Sequence, residues 1–404
     1  LARPNTDHPV PAPLLLDLSH TSHTRARTGV QRVARALRRA LGARAQAVCF
    51  DPFYGGWRPL EDWEEENLSA AGASPRRAAR WPLAARIRGR LRRWRGRPVP
   101  LAAPPPAPAG AAAGVIAPEI FSPAVAAALP DLFAATCGPR VALFHDAIAL
   151  RFPELTPRAT VARFPGYLRE LLAFDGVAAV SEASRDSLVG YWDWLGVPRR
   201  PVVAAIPLGL DAPGPAGLAA GGAPTVLCVG SIEARKNHVA LLEACESLWS
   251  RGLAFRLRLV GLANLETGGP ALRRLGRLRE AGRDVVCEGA QGDEELDAAY
   301  RECAFTVYPS LAEGFGLPVA ESLARGKPCI CRTDGALGEV ARGGGCLGLG
   351  AAGAAEIAAA VARLLESPAD LSSLAEAARA RRFRTWDEYA GELLAWMGSL
   401  RRGA

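Results

Sequence analysis

Compact apolar runs alternate along this chain with stretches in which apolar residues return at helical spacing. Residues 14–18 hold Leu14, Leu15, Leu16 and Leu18, a run that predicts a strand buried on both faces. A polar loop follows. From Gly29 onward, Val30, Val33, Leu37 and Leu41 predict a helix. Further strands are predicted at 141–144, 176–180 and 202–206, with helices at 162–173 and 183–195 between them. The second half repeats the rhythm more regularly, with strands at 225–229, 256–260, 284–288, 305–308 and 328–332. Helices alternate with them at about 238–250, 270–281, 293–301 and 317–325. Alternation of β and α at this spacing predicts an α/β protein of parallel, doubly wound sheets.

Two interruptions organise the chain. Residues 207–224 are rich in Gly, Pro and Ala and read as a linker, which sets an N-terminal domain at 1–210 and a second domain at 211–385. Residues 386–404 read as a terminal helix. The second interruption is an insertion at about 61–113. An acidic patch (Glu61, Asp62, Glu64, Glu65, Glu66) precedes a segment from Arg76 to Arg97 that is dense in Arg and carries Trp81 and Trp94; a nearly pure Pro/Ala/Gly stretch then reads as a mobile loop. The Arg/Trp segment fits an interfacial helix on an anionic membrane surface, and equally a solvated basic insertion. No nucleic-acid motif accompanies the charge, so no nucleic-acid partner is expected.

The chain has 404 residues, 49% of them hydrophobic, enough for two cores of ordinary size. The nine cysteines are scattered without a C-x-x-C pair, which predicts reduced, mostly buried thiols. No run of 18 apolar residues occurs, so no membrane-crossing helix is expected. The N-terminus lacks both a signal-peptide pattern and a Met, and reads as trimmed or cut from a longer chain. A cytoplasmic protein, peripheral at the inner face of a bacterial inner membrane, is the expected setting. The net charge of +8 is almost wholly Arg, because Lys236 and Lys327 are the two lysines; Lys327 sits in a turn-like Gly-Lys-Pro.

Chemistry concentrates in the stretch Glu313-Gly-Phe-Gly-Leu-Pro-Val-Ala-Glu321. Glu313 falls on a strand-to-helix turn and Glu321 about one turn into the helix. Pro318 suits a first helical position. Gly314 and Gly316 allow close backbone approach, and the N–H groups through Phe315 and Leu317 open an anion site beside two carboxylates. That combination suits a sugar carried on a diphosphate. Upstream, Gly230-Ser-Ile-Glu-Ala-Arg-Lys-Asn-His238 also joins a strand to a helix. It sets Arg235 and Lys236 where phosphate oxygens would need cations. His145 and Asp146 follow a strand end that should face the crevice of a doubly wound sheet, as do Ser181 and Glu182. Gly29, Gln31 and Arg32 would bring a helix N-terminus of the first domain to the same place, with His20 and His23 in the loop before it. Gly335-Ala-Leu-Gly-Glu339 is expected to border the nucleotide. No D-x-D occurs, which argues against a metal-chelated diphosphate.

The Glu313–Glu321 stretch resembles the two-glutamate signature of GT-B retaining glycosyltransferases of family 4. That group is typified by bacterial mannosyl- and rhamnosyltransferases of surface polysaccharide assembly. The resemblance implies two Rossmann-like domains facing a central cleft, the N-terminal one on the acceptor side and the second binding the donor. The terminal helix would return to the N-terminal domain. It implies that Glu313 holds donor-sugar hydroxyls and Glu321 the ribose. The Gly-x-x-x-x-Arg-Lys-Asn loop would bind the pyrophosphate, with Ser231 standing where some members carry Arg. His145 would lie near the reacting carbon, and His20, His23, Asp146, Ser181 and Glu182 toward the acceptor. The implied reaction moves a hexose or deoxyhexose from a nucleoside-diphosphate sugar to a hydroxyl of a glycan or lipid-linked glycan, with no metal and no other cofactor. The resemblance is strong over about 225–345, weaker over 14–210, and absent at 61–113. A catalytically silent GT-B module remains an alternative, as do an epimerase and a phosphorylase of the same fold.

Overall fold

The computed structural model describes residues 14–70, 80–96, 99, 101, 113–211 and 223–400. Most of the segment read as a linker, and the Pro/Ala/Gly stretch read as a mobile loop, lie outside the described residues. The first sheet contains β1 (Leu14–Asp17), β2 (Gln46–Asp51), β3 (Gly56–Pro59), β4 (Gly114–Ala117), β5 (Arg140–Phe144), β6 (Gly176–Ala179) and β7 (Val202–Ala205). The second contains β8 (Thr225–Val229), β9 (Arg256–Val260), β10 (Val285–Glu288), β11 (Phe305–Tyr308), β12 (Cys329–Arg332) and β13 (Cys346–Leu349).

The strand order is β3-β2-β1-β4-β5-β6-β7 in the first sheet and β10-β9-β8-β11-β12-β13 in the second. All pairs are parallel except β2 with β3, an antiparallel hairpin at the sheet edge that ends in Pro59. Both are doubly wound Rossmann-like sheets. Each reverses its winding at one place, between β1 and β4 and between β8 and β11, and loops at the carboxyl ends of those strands form the crevice where such sheets bind ligands.

The central strands are buried along their whole length, as in β1 and β11, which is why they read as continuous apolar runs. β2, β3, β4 and β13 were not anticipated. Gln46, Asp51 and Arg58 interrupt the first two, and the other two are four-residue strands with one Gly each. The helix Gly29–Leu41 starts at a capping box made by Thr28 and Gln31, and buries Val33, Ala34 and Leu37. A second capping box, Thr385 with Glu388, starts the helix Trp386–Ser399. That last helix packs on Gly29–Leu41 and sends Tyr389, Leu393 and Met397 into the core under β1. The chain thus passes between the two sheets twice. The crossings lie side by side: the Leu210 N–H donates to the Arg384 carbonyl at 2.8 Å, and a Cβ on Gly209 would come within 2.5 Å of the Thr385 oxygen.

All nine cysteines are free, and only Cys137 is exposed. No helix among the described residues is long and apolar enough to cross a membrane.

Leu393 is fully buried where the terminal helix meets the first sheet. Leu393→Ala should lower unfolding free energy in chemical denaturation by about 2–5 kcal/mol. A loss below about 1 kcal/mol would mean that the terminal helix does not contribute to that core.

Candidate active site

The carboxyl ends of β8 and β11 hold a tightly knit polar group. After β8 the chain turns through Gly230 and Ser231 to Arg235 and Lys236. After β11 it turns through Pro309 and Ser310 to Glu313. Glu313 receives both cations on separate oxygens, Arg235 Nη1 at 2.9 Å and Lys236 Nζ at 2.5 Å. The Tyr308 hydroxyl donates to the same carboxylate at 2.9 Å, and Lys236 also contacts that hydroxyl. Arg235 pairs in addition with Glu233 at 2.8 Å.

Burial works against a charge on Glu313, but Arg235 and Lys236 outweigh it and hold the carboxyl at about 2. Burial and the neighbouring Arg235 charge lower the Lys236 pKa, against the pull of Glu313. Burial opposes the charge on Arg235 as well, yet Glu313 and Glu233 raise its pKa on balance. Glu313 and Arg235 are therefore ionised at neutral pH, in a largely buried setting where field strength is high.

The helix Leu317–Ala324 begins four residues after Glu313. Gly316, at φ 103°, is its N-cap, and a left-handed backbone there favours glycine. Among the described residues, no protein acceptor is recorded for the N–H groups of Phe315, Gly316 and Leu317. They border a cavity of about 530 Å³ together with Arg235, Lys236, Glu313 and Gly314. Ser231 lines it from the loop of Arg235, and Gly29, His145 and Asp146 line the same cavity from the facing loops.

Glu321 lies one turn into this helix and lines a neighbouring cavity of about 1040 Å³. Its carboxylate pairs with Arg32 of the first sheet's helix and accepts from the Tyr300 hydroxyl at 3.1 Å. Burial opposes the charge on Arg32, but Glu321 raises its pKa on balance. Arg27 and Asp293 form a second ion pair across the same gap.

The two halves also meet at Gly314. Its carbonyl accepts from the Ser181 hydroxyl at 2.6 Å and the Ser184 hydroxyl at 3.1 Å. A Cβ at this position would sit 2.0 Å from the His145 carbonyl oxygen. Only glycine permits this approach. His145 Nε2 donates to the Pro118 carbonyl at 2.7 Å, which leaves Nδ1 as the acceptor nitrogen of a neutral ring. Burial lowers its pKa and favours that neutral form.

Several residues expected near the acceptor lie elsewhere. His23 is enclosed: Nε2 meets Glu64 at 2.6 Å, Nδ1 meets the Ser19 carbonyl at 2.7 Å, and the ring stacks on Trp81 at 4.0 Å. Every face is used, so it does not reach the cleft. His23, Cys49 and Glu64 converge as metal ligands might, but Arg58 forks onto both Glu64 oxygens at 2.7 and 2.8 Å and supplies the positive charge itself. His20 is exposed, pairs with the Gln31 side chain and lines neither cavity. Ser181 is buried as the N-cap of the helix Glu182–Trp194, and the exposed Glu182 pairs with Arg185. Glu339 lines neither cavity; it caps that same helix, accepting from the N–H groups of Glu182 and Ala183 at 2.9 and 2.7 Å. Of the acceptor candidates, Asp146 alone lines the cleft.

Sequence reading missed Tyr308 and Tyr300. Tyr308 carried a usable signal, as a hydroxyl at the carboxyl end of a strand beside the winding reversal. Tyr300 carried none, because a separate helix brings it to Glu321. Also missed was the buried pair at the first sheet's winding reversal, where burial and the nearby Glu119 push Asp17 up to about 7.

Comparison with known proteins places this geometry. The family model described as glycosyl transferases group 1 matches residues 215–381. The MMP α-(1→4)-mannosyltransferase of Mycolicibacterium hassiacum is 34% identical over 139 residues, 33% of this chain and 33% of that protein. The serotype-specific mannosyltransferase WbdA of Escherichia coli is 31% identical over 122 residues, 30% of this chain and 15% of that protein. The matches therefore span a third or less of these relatives' length. Among solved structures, Anabaena HepE in complex with UDP and glucose aligns with a TM-score of 0.65 at 16% identity, covering 96% of this chain and 99% of that one. The two facing sheets are those of the GT-B fold, and Arg235, Lys236, Glu313 and Glu321 all fall within the residues that match the glycosyl transferases group 1 model.

Proposed function

We propose that the protein is a retaining, metal-independent glycosyltransferase. It moves a hexose or deoxyhexose from a nucleoside-diphosphate sugar to a hydroxyl of a growing, lipid-linked surface glycan at the inner face of the membrane that carries it. The observation that carries this reading is the buried Arg235–Glu313–Lys236 group beside unclaimed helix N–H donors, which suits a diphosphate on one side and sugar hydroxyls on the other. The two mannosyltransferase relatives favour mannose as the transferred sugar, and the nucleotide bound by HepE favours a nucleotide site in this cleft.

Each residue then has a physical task. Arg235 and Lys236 stabilise the charge that grows on the departing diphosphate, and the dry site strengthens that effect. Their positive charge makes a metal unnecessary. Glu313 orients sugar hydroxyls, and Glu321 accepts the ribose hydroxyls once Arg32 yields. His145 is neutral and stands across the cavity near the anomeric carbon. Glu313 and Asp146 are carboxylates that line this cavity with His145 and Arg235, and with Glu313 tied to two cations the reading favours reaction on one face of the sugar. The bond from the anomeric carbon to the phosphate oxygen breaks, the acceptor oxygen bonds to that carbon from the same face, and the acceptor proton passes to the leaving phosphate.

Thermal unfolding against a panel of nucleoside diphosphates and their sugars tests the reading. A ligand at 100 times its Kd raises stability by roughly 2.7 kcal/mol. One base should stabilise the wild type, and Glu321→Ala should abolish most of the shift. No shift with any base would favour the silent-module alternative.

The clamp also predicts a pH dependence. The Glu313 carboxyl lies at about 2, against 4.5 for a free one. It therefore contributes roughly 3 kcal/mol above the unfolded pKa, and loses that contribution as pH falls through the folded value. Glu313→Gln should be less stable than wild type at neutral pH, with the difference shrinking below about pH 4.5. A constant difference from neutral pH to about pH 2.5 would show that Glu313 is not held as an ion.

A further inference from the structure

The insertion folds in part as the helix Leu83–Arg95, which lies on the turn between β2 and β3. Its inward face is narrow. Ala85 and Gly89 are buried, and a Cβ on Gly89 would meet Phe53 at 2.8 Å. The opposite face is apolar and points away from the protein. Leu83 is 69% exposed, Ile87 48%, Leu91 47% and Trp94 83%. Steps of four, four and three residues align these side chains in one stripe. Among the described residues nothing covers them, whereas soluble proteins scatter exposed apolar residues singly.

Arginines border the stripe on both sides, Arg86, Arg90 and Arg93 along one flank and Arg88, Arg92 and Arg95 along the other, and the helix has no acidic residue. Arg88 and Arg92 are partly neutralised by Glu61, at 2.6 and 2.8 Å. The guanidinium groups of Arg86 and Arg90 lie over the Phe53 ring, and both residues are exposed. A groove beside Trp94 is lined by Pro52, Phe53, Arg90 and Arg93.

We infer that this helix is a membrane-docking surface that lies in the plane of an anionic bilayer, with Leu83, Ile87, Leu91 and Trp94 below the headgroups and the arginine rows among them. The two rows decide the occupant. A second copy of the helix would bring arginines against arginines, and a nucleic acid would pair with the arginines but leave the apolar stripe in water. An anionic bilayer satisfies both features at once, because indole favours the interface and each arginine near the surface gains from its potential. The inference deepens the proposed function and rests on it for its purpose. The docked helix would hold the N-terminal sheet at the surface from which a lipid-linked acceptor enters the cleft.

Flotation with phosphatidylcholine vesicles, with and without phosphatidylglycerol, tests it. The wild type should float with the phosphatidylglycerol vesicles alone, and less so as salt is raised. Ile87→Ser combined with Trp94→Ser should weaken partitioning at least about tenfold. Arg90→Gln combined with Arg95→Gln should weaken it and flatten the salt dependence. All four positions are exposed, so the nucleotide-induced shift in unfolding temperature should stay at its wild-type value. The inference is overturned by a wild type that does not float, or by apolar variants that float equally well. A vesicle-free dimer abolished by Trp94→Ser, or oligonucleotide binding as tight as vesicle binding, overturns it too. Flotation without any nucleotide-induced shift would sink the glycosyltransferase reading and leave the docking surface standing; a shift without flotation would do the reverse.

Discussion

One carboxylate holding two cations in a nearly dry crevice is the interaction on which the rest of this structure depends. Glu313, Arg235 and Lys236 come from loops after two different strands, and neither loop would keep its course without the other. A buried cation left without its partner is costly, so Glu313 is the member whose loss costs most: it is the carboxylate that Arg235 and Lys236 share. The trio sits at the carboxyl ends of β8 and β11, where the winding reverses and a crevice opens without any special loop. The fold supplies the place, and the Glu-Gly-Phe-Gly-Leu-Pro turn supplies the helix N-terminus that aims unclaimed N–H groups into it.

The second constraint is how the halves meet. Gly314 touches the His145 carbonyl so closely that no side chain fits, and the hydroxyls of Ser181 and Ser184 tie down the carbonyl of Gly314 itself. Glu339 reaches across to cap a helix of the first half. These contacts fix one side of the cleft. On the other side, Arg32–Glu321 and Arg27–Asp293 are ion pairs between side chains, and Arg32 occupies the carboxylate to which a ribose is assigned. A ligand that takes Glu321 must displace Arg32, so binding and the spacing of the two halves are linked.

Much of this was legible beforehand. The second sheet's strands at 225–229 and 305–308 announced themselves as mostly apolar, buried runs and that at 256–260 as Arg alternating with Leu before Val260, and the positions of Arg235, Lys236, Glu313 and Glu321 followed from strand-to-helix turns. What stayed hidden depended on distant parts of the chain. His23 looked like a cleft residue because its loop leads there, but the insertion encloses it: Glu64 and Trp81 arrive from 41 and 58 residues further on. Ser181 and Glu339 were read as site residues when their partners are helix ends and a carbonyl across the gap. The stripe on Leu83–Arg95 was half visible. Its composition pointed to a membrane or to solvent, and only the burial of Ala85 and Gly89 shows that the apolar side chains face outward.

The central claim is that Arg235 and Lys236 form a site for the second phosphate of a nucleotide. Titration calorimetry of the wild type with a nucleoside diphosphate and with the monophosphate of the same base measures this directly. Charge-assisted hydrogen bonds to the added phosphate should tighten binding at least about tenfold. Equal affinity for the two nucleotides would mean that these cations serve only to hold Glu313, and would contradict the account.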